Sequence, residues 1–95
     1  MMCTEISDHL TDPRIIEIAE AAIKIQNSGI LRMYLEAAKQ VCQKCEIPVC
    51  DCYQKWELMH SNGVRITELL SNKINHPTKE MNWIFAVSLM EQMLR

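Results

Sequence analysis

Ile47-Pro48-Val49-Cys50-Asp51-Cys52 is a short apolar run containing β-branched residues, set in a sequence that otherwise repeats at helical spacing. It reads as a strand, with Pro48 near its start, where a missing N–H does least harm. A lone strand leaves its N–H and C=O groups without ladder partners, and buried orphans are costly. An apolar strand of this kind usually belongs to a parallel sheet covered by helices on both faces. The run therefore predicts a mostly helical piece of an α/β protein, carrying one core strand. The remaining strands would lie upstream in a longer product or in a second copy of the chain, and in the latter case the unpaired strand is a route to self-association. Met1-Met2-Cys3 fits the tail of an earlier strand.

On the N-terminal side of this run the pattern predicts two helices. Asp12 is a capping residue and Pro13 suits the first helical position. Ile15, Ile18, Ala19, Ala22 and Ile25 or Gln26 then recur at helical spacing until Asn27-Ser28-Gly29, where Gly29 can turn left-handed. A second helix presents Leu31, Tyr34, Leu35, Ala38, Val41 and Cys42 and ends near Cys45-Glu46. On the C-terminal side, helix resumes from Tyr53 to His60 and Asn62-Gly63 makes a turn. Ile66, Leu69 and Leu70 mark a short helix, and Ser71 to Asn75 a polar loop. His76-Pro77-Thr78 opens a last helix with Met81, Ile84, Phe85, Ser88 and Leu89 on its apolar face.

The 95 residues suffice for one segment or small domain, 1–95, and not for two. A chain of this size is marginally stable. With 48% hydrophobic and 23% charged residues it has an ordinary globular composition. The net charge is -2 with the two signs interleaved, so there is no basic footprint for nucleic acid. No stretch reaches the apolar length of a membrane span, and Met1 to Leu10 lacks the pattern of a signal peptide, which makes a cytoplasmic location the expectation. The five cysteines then read as free thiols rather than a disulfide framework. Seven methionines suggest a core of flexible side chains.

Val49-Cys50-Asp51-Cys52-Tyr53, followed by Lys55-Trp56, resembles the last core strand of SGNH (GDSL-type) ester hydrolases and its exit. Gly63-Val64, Glu68-Leu69-Leu70-Ser71-Asn72 and Ile74-Asn75-His76-Pro77 resemble that family's C-terminal histidine block. Trp83, Phe85-Ala86 and Ser88-Leu89 resemble the helix after it, and Asp12-Pro13-Arg14 the segment before the last strand. The resemblance covers nearly the whole chain from Asp12 on. It implies a three-layer α/β fold in the intact parent, and hydrolysis of small-molecule or carbohydrate esters with no cofactor.

The resemblance also implies a role for His76. A serine hydroxyl becomes a nucleophile when a neighbouring imidazole takes its proton, and the imidazolium later returns that proton to the leaving group. His76 is the expected general base. The family's aspartate three positions before the histidine is replaced by Lys73, which cannot accept an imidazole proton. Asn72, Asn75 or Asp51 remain as orienting residues, Asp51 also reading as the cap of the following helix. The family's Gly-Asp-Ser nucleophile block and its oxyanion-hole blocks do not occur, and none of Ser7, Ser28, Ser61, Ser71 and Ser88 lies in a nucleophile-elbow pattern. The isolated chain is therefore expected to be inactive.

Two other readings stay open. Cys42-x-x-Cys45 and Cys50-x-Cys52 supply four thiols, the number in a closed structural zinc site, or else substitute for small apolar residues. Cys42 and Cys45 as a redox pair fit less well, lying at a helix end rather than its start. The last helix, apolar on several sides with Trp83, Val87 and Met90, also fits a small helical interaction module, although such a helix is normally buried in a core. Trp56 and Trp83 read as packing residues.

Overall fold

The structure is a computed structural model, and it describes residues 1–94. Four α-helices and one 3₁₀ turn follow in the order α1 (Pro13–Asn27), α2 (Ile30–Lys44), α3 (Cys52–Ser61), the 3₁₀ turn (Ile66–Leu69) and α4 (Asn82–Met93). Helix α1 packs against α2, and α3 packs against both the 3₁₀ turn and α4. Among the described residues there is no strand, only an isolated antiparallel bridge between Leu70 and Pro77. The fold is thus all-helical, which corrects the expectation of an α/β piece with a core strand at Ile47–Cys52.

The physical reason lies at the end of α2. The N–H of Ile47 donates to the carbonyl of Cys42 at 2.8 Å, and the N–H of Glu46 to that of Gln43 at 3.2 Å. This crossed pair is a Schellman stop, which satisfies the last carbonyls of a helix through a left-handed residue. Glu46 is that residue, at φ +58°. Ile47 is thereby used to close the helix, and Pro48 has no N–H to offer. Cys52 N–H donates to the carbonyl of Cys50 at 3.1 Å, a local turn rather than a ladder bond. The segment 47–51 is therefore an irregular connection, and strand pairing as a route to self-association has no template among the described residues.

The other helix boundaries follow local chemistry. Asp12 caps α1, accepting from the N–H of Arg14 at 2.9 Å, with Pro13 in the first turn. Gly29, at φ +79°, makes the reversal between α1 and α2. Helix α3 ends in a second Schellman stop, Val64 N–H to Met59 and Gly63 N–H to His60, with Gly63 at φ +88°. The last helix begins at Asn82 rather than at His76, a second correction. Pro77 is held opposite Leu70, and Thr78 donates its N–H to the carbonyl of Leu69 at 2.9 Å, so His76–Thr78 is extended.

The core comprises Cys3, Ala19, Ala22, Trp56, Ile66, Leu70 and Met81, with Ile6, Ile23, Tyr53, Ile74 and Ile84 packed around it. The N-terminal stretch runs extended through this core. Met2 N–H donates to Gln26 Oε1 at 2.9 Å, Cys3 N–H to the Ile74 carbonyl at 2.7 Å, and Thr4 N–H to Thr67 Oγ1 at 3.0 Å. Burying side chains the size of Ile66 or Leu70 contributes about 1.5–3 kcal/mol each. Against this, Trp56 Nε1 is buried without a hydrogen-bond partner among the described residues, at a cost of about 1–3 kcal/mol.

Much apolar surface stays outside. Ile15, Ile18 and Ile25 of α1 are exposed, and α2 buries no residue, with Met33, Tyr34, Leu35 and Val41 open to solvent. Helix α4 exposes Trp83, Val87, Leu89 and Met90. The accessible surface is 6913 Å². A compact monomer of 11.0 kDa exposes about 5,600 Å², so this chain carries roughly 1,300 Å² more. The radius of gyration, 14.8 Å, likewise exceeds the roughly 12 Å of a compact domain of this length.

Candidate functional site

His76 sits at the end of a loop built around one side chain. Asn72 Oδ1 accepts from the backbone N–H groups of Ile74 (3.0 Å), Asn75 (2.9 Å) and His76 (3.0 Å). Three converging donors require an acceptor, which fixes the orientation of the amide. Its Nδ2 donates to Asn75 Oδ1 at 2.9 Å. Ser71 clamps the base of the loop, donating to the His76 carbonyl from its N–H at 2.6 Å and from its hydroxyl at 3.1 Å. The backbone of His76 is thus held at both its N–H and its C=O while the residue stays exposed. Among the described residues its ring makes no hydrogen bond and no ion pair.

The candidate orienting groups are occupied elsewhere. Asn72 and Asn75 spend their carbonyl oxygens inside the loop. Asp51 caps α3, its Oδ1 accepting from the Gln54 N–H at 2.9 Å and its Oδ2 from Lys39 Nζ at 2.7 Å. The Lys39 ammonium holds the Asp51 carboxyl below its usual range, aided by the Gln54 N–H and opposed by partial burial. Lys73, at φ +60°, donates to the Glu68 carbonyl at 3.1 Å. None of these groups is bonded to the imidazole.

Around Glu68 lies a polar cluster that no local pattern announced. Ser7, 1% exposed, donates to Glu68 Oε1 at 3.0 Å and accepts the His9 N–H at 3.2 Å. His9 Nε2 and Lys73 Nζ stand 3.7 and 3.5 Å from Glu68 Oε2. The Ser7 hydroxyl, with Lys73 and His9, holds the Glu68 carboxyl below its usual range. Serine, histidine and carboxylate meet here, but the serine bonds to the carboxylate and to a backbone N–H rather than to an imidazole. It is also sealed from solvent. The arrangement ties the N-terminal stretch to the 3₁₀ turn instead of activating a nucleophile. Ser28 and Ser61 each donate to a carbonyl of their own helix. Ser88, buried, donates to the Ile84 carbonyl at 2.6 Å and accepts from Lys55 Nζ at 2.6 Å.

The four cysteines weighed as a zinc set are not gathered into one. Cys50 and Cys52 have their sulfurs 3.6 Å apart. Cys42 lines the same groove, together with Leu35, Ala38 and Tyr53, whereas Cys45 is exposed. Among the described residues no group of three or more His, Cys, Asp or Glu side chains is placed to hold a metal ion.

A cleft of about 540 Å³ opens between the α1–α2 reversal and α3, lined by Gln26, Arg32, Trp56, Glu57 and His60 among others. His76 is not among its lining residues. Arg32 and Glu57, both in its lining, form an ion pair. No helix among the described residues is long and apolar enough to cross a membrane. Comparison of the chain with protein-family models, with curated proteins and with solved structures finds no match.

Proposed function

We propose that this chain is the C-terminal portion of an SGNH-type carboxylic ester hydrolase, contributing His76 as the general base to a serine nucleophile carried outside residues 1–95. The observation that carries the reading is the loop. It leaves the imidazole of His76 exposed and unpartnered while fixing its backbone through Asn72 and Ser71. A base that must accept a proton from a group on another segment needs that combination of free ring and held main chain. The apolar faces of α2 and α4, and about 1,300 Å² of surface beyond that of a compact monomer, supply the area on which further protein would pack. The substrate is a small-molecule or carbohydrate ester. The acid partner of His76, like the nucleophile, comes from elsewhere, since Asn72, Asn75 and Asp51 are committed to other bonds.

The test compares hydrolysis of a small aryl acetate by this chain and by a longer form that includes the in-frame upstream sequence. The chain alone should not exceed buffer, and the longer form should turn over. Equal rates in the two, or upstream DNA without an in-frame Gly-Asp-Ser block, would overturn the reading.

A second reading, a helical interaction module without catalysis, is favoured by α2. It is amphipathic yet buries no residue. It predicts that the longer form is inactive as well.

A further inference from the structure

Cys50 and Cys52 flank the capping residue of α3 and are left unused by the reading above. Their sulfurs lie 3.6 Å apart, about 1.6 Å beyond bonding distance, with both residues half-buried at the mouth of a groove. Cys50 is in the irregular connection and Cys52 is the first residue of α3, a ten-residue helix whose N-terminus favours negative charge. Two further groups bear on Cys52: the ammonium of Lys55 and the hydroxyl of Ser88, themselves bonded at 2.6 Å. The sulfur pair in contact at a helix start places one thiol to attack and the second to resolve, beside a lysine that is shared with Ser88 and Glu91. Cys42 lines the same groove, while Cys45 is exposed and lines no part of it.

We infer that Cys50 and Cys52 form a reversible thiol–disulfide exchange site whose co-reactant is a small-molecule disulfide. The Cys52 thiolate attacks one sulfur of the disulfide. The S–S bond breaks, one thiolate leaves and takes up the proton that Cys52 gave up, and a mixed disulfide remains on Cys52. The Cys50 thiolate then attacks the Cys52 sulfur and displaces the second small thiol, which takes the proton from Cys50. The protein loses two electrons and two protons, and the small disulfide gains both as two thiols. Burial, together with the neighbouring Cys50 thiol, pushes the Cys52 thiol above its ordinary range, while Lys55 and Ser88 pull it down. Closure of the bond staples residues 50–52, and with them Asp51, which caps α3 and binds Lys39.

The experiment treats the fully reduced chain with excess oxidised glutathione, quenches with an alkylating reagent and maps peptides by mass spectrometry. The expected result, after a denaturing quench, is a loss of two hydrogen masses on the peptide holding Cys50 and Cys52, neither of them alkylated, and a Cys50–Cys52 linkage reversed by dithiothreitol, with any lasting glutathione adduct on the exposed Cys45. Cys50→Ser should instead retain a glutathione adduct on Cys52. Five alkylated cysteines after treatment, a linkage through Cys42 or Cys45, or an intermolecular dimer as the main product would each overturn the assignment. Should Cys50→Ser fail to fold, the peptide map of the unsubstituted chain decides alone.

Discussion

Replacing Asn72 with alanine deletes the oxygen that three consecutive backbone N–H groups share, those of Ile74, Asn75 and His76. An intramolecular hydrogen bond contributes about 0.5–1.5 kcal/mol net. The loop is half-exposed, so water replaces part of what is lost, and one oxygen cannot serve three donors at full strength. A total near 2 kcal/mol follows. In a domain of this size each kcal/mol moves the midpoint by about 4–8 °C, so Asn72→Ala should lower Tm by roughly 8–16 °C. Asn72→Asp keeps the accepting oxygen and loses only the donor to Asn75 Oδ1, and should lose less than half as much. Thermal unfolding followed by circular dichroism measures the first quantity. Amide hydrogen exchange separates the loop from global loosening, because exchange at residues 74–76 should rise in the folded protein while amides of α3 keep their relative protection. An unchanged midpoint for Asn72→Ala, or identical losses for the alanine and aspartate variants, would refute the claim that this side chain builds the loop.

Glu46 holds a left-handed conformation at the same Schellman position that Gly63 occupies after α3. Glu46→Gly should therefore stabilise the chain by about 1 kcal/mol, read as a higher urea midpoint at constant slope. Leu70 is fully buried at the bridge to Pro77, and Leu70→Ala should cost about 3–5 kcal/mol, enough to leave a marginal chain largely unfolded by circular dichroism at 37 °C. The carboxyls of Glu68 and Asp51 titrate below their ordinary range in the folded state, so their stabilisation is complete above the unfolded carboxylate pKa near 4 and is lost as pH falls through the folded values. Tm should be flat from about pH 7 to pH 5 and fall below about pH 4, and the double variant Glu68→Gln, Asp51→Asn should show a shallower fall.

Helix boundaries were legible where their chemistry is local. Asp12-Pro13, Gly29 and Asn62-Gly63 each satisfy or break a helix end within a few residues, and the observed ends lie there. Ile47–Cys52 forms no strand, because β-branched residues report a side-chain preference and not the presence of a ladder partner. The stop that consumes Ile47 uses Glu46 in a conformation that only glycine would have advertised. Helix α4 starts later than the pattern at His76-Pro77-Thr78 predicts, for a similar reason. Pro77 suits a first helical turn, but here it lies opposite Leu70, a contact set by tertiary structure. On α1 the isoleucines at 15, 16, 18, 23 and 25 spread over about half of the circumference, with Ala19 and Ala22 in the middle of that arc. The core takes the alanines at 19 and 22 and leaves Ile15, Ile18 and Ile25 outside. At the candidate site, the polar loop of Ser71 to Asn75 was readable from composition. The role of Asp51 as cap was partly so, whereas Asn72, expected to orient the imidazole, builds the loop instead. The Ser7–Glu68 bond, between residues 61 positions apart, has no local signal.

The proposal that His76 acts as a base is tested most directly by the aryl acetate turnover of the longer form carrying His76→Ala. The account predicts a fall of at least a hundredfold in kcat, the scale of general acid–base catalysis, with the far-ultraviolet spectrum unchanged. Turnover within a few-fold of the unsubstituted form would contradict it.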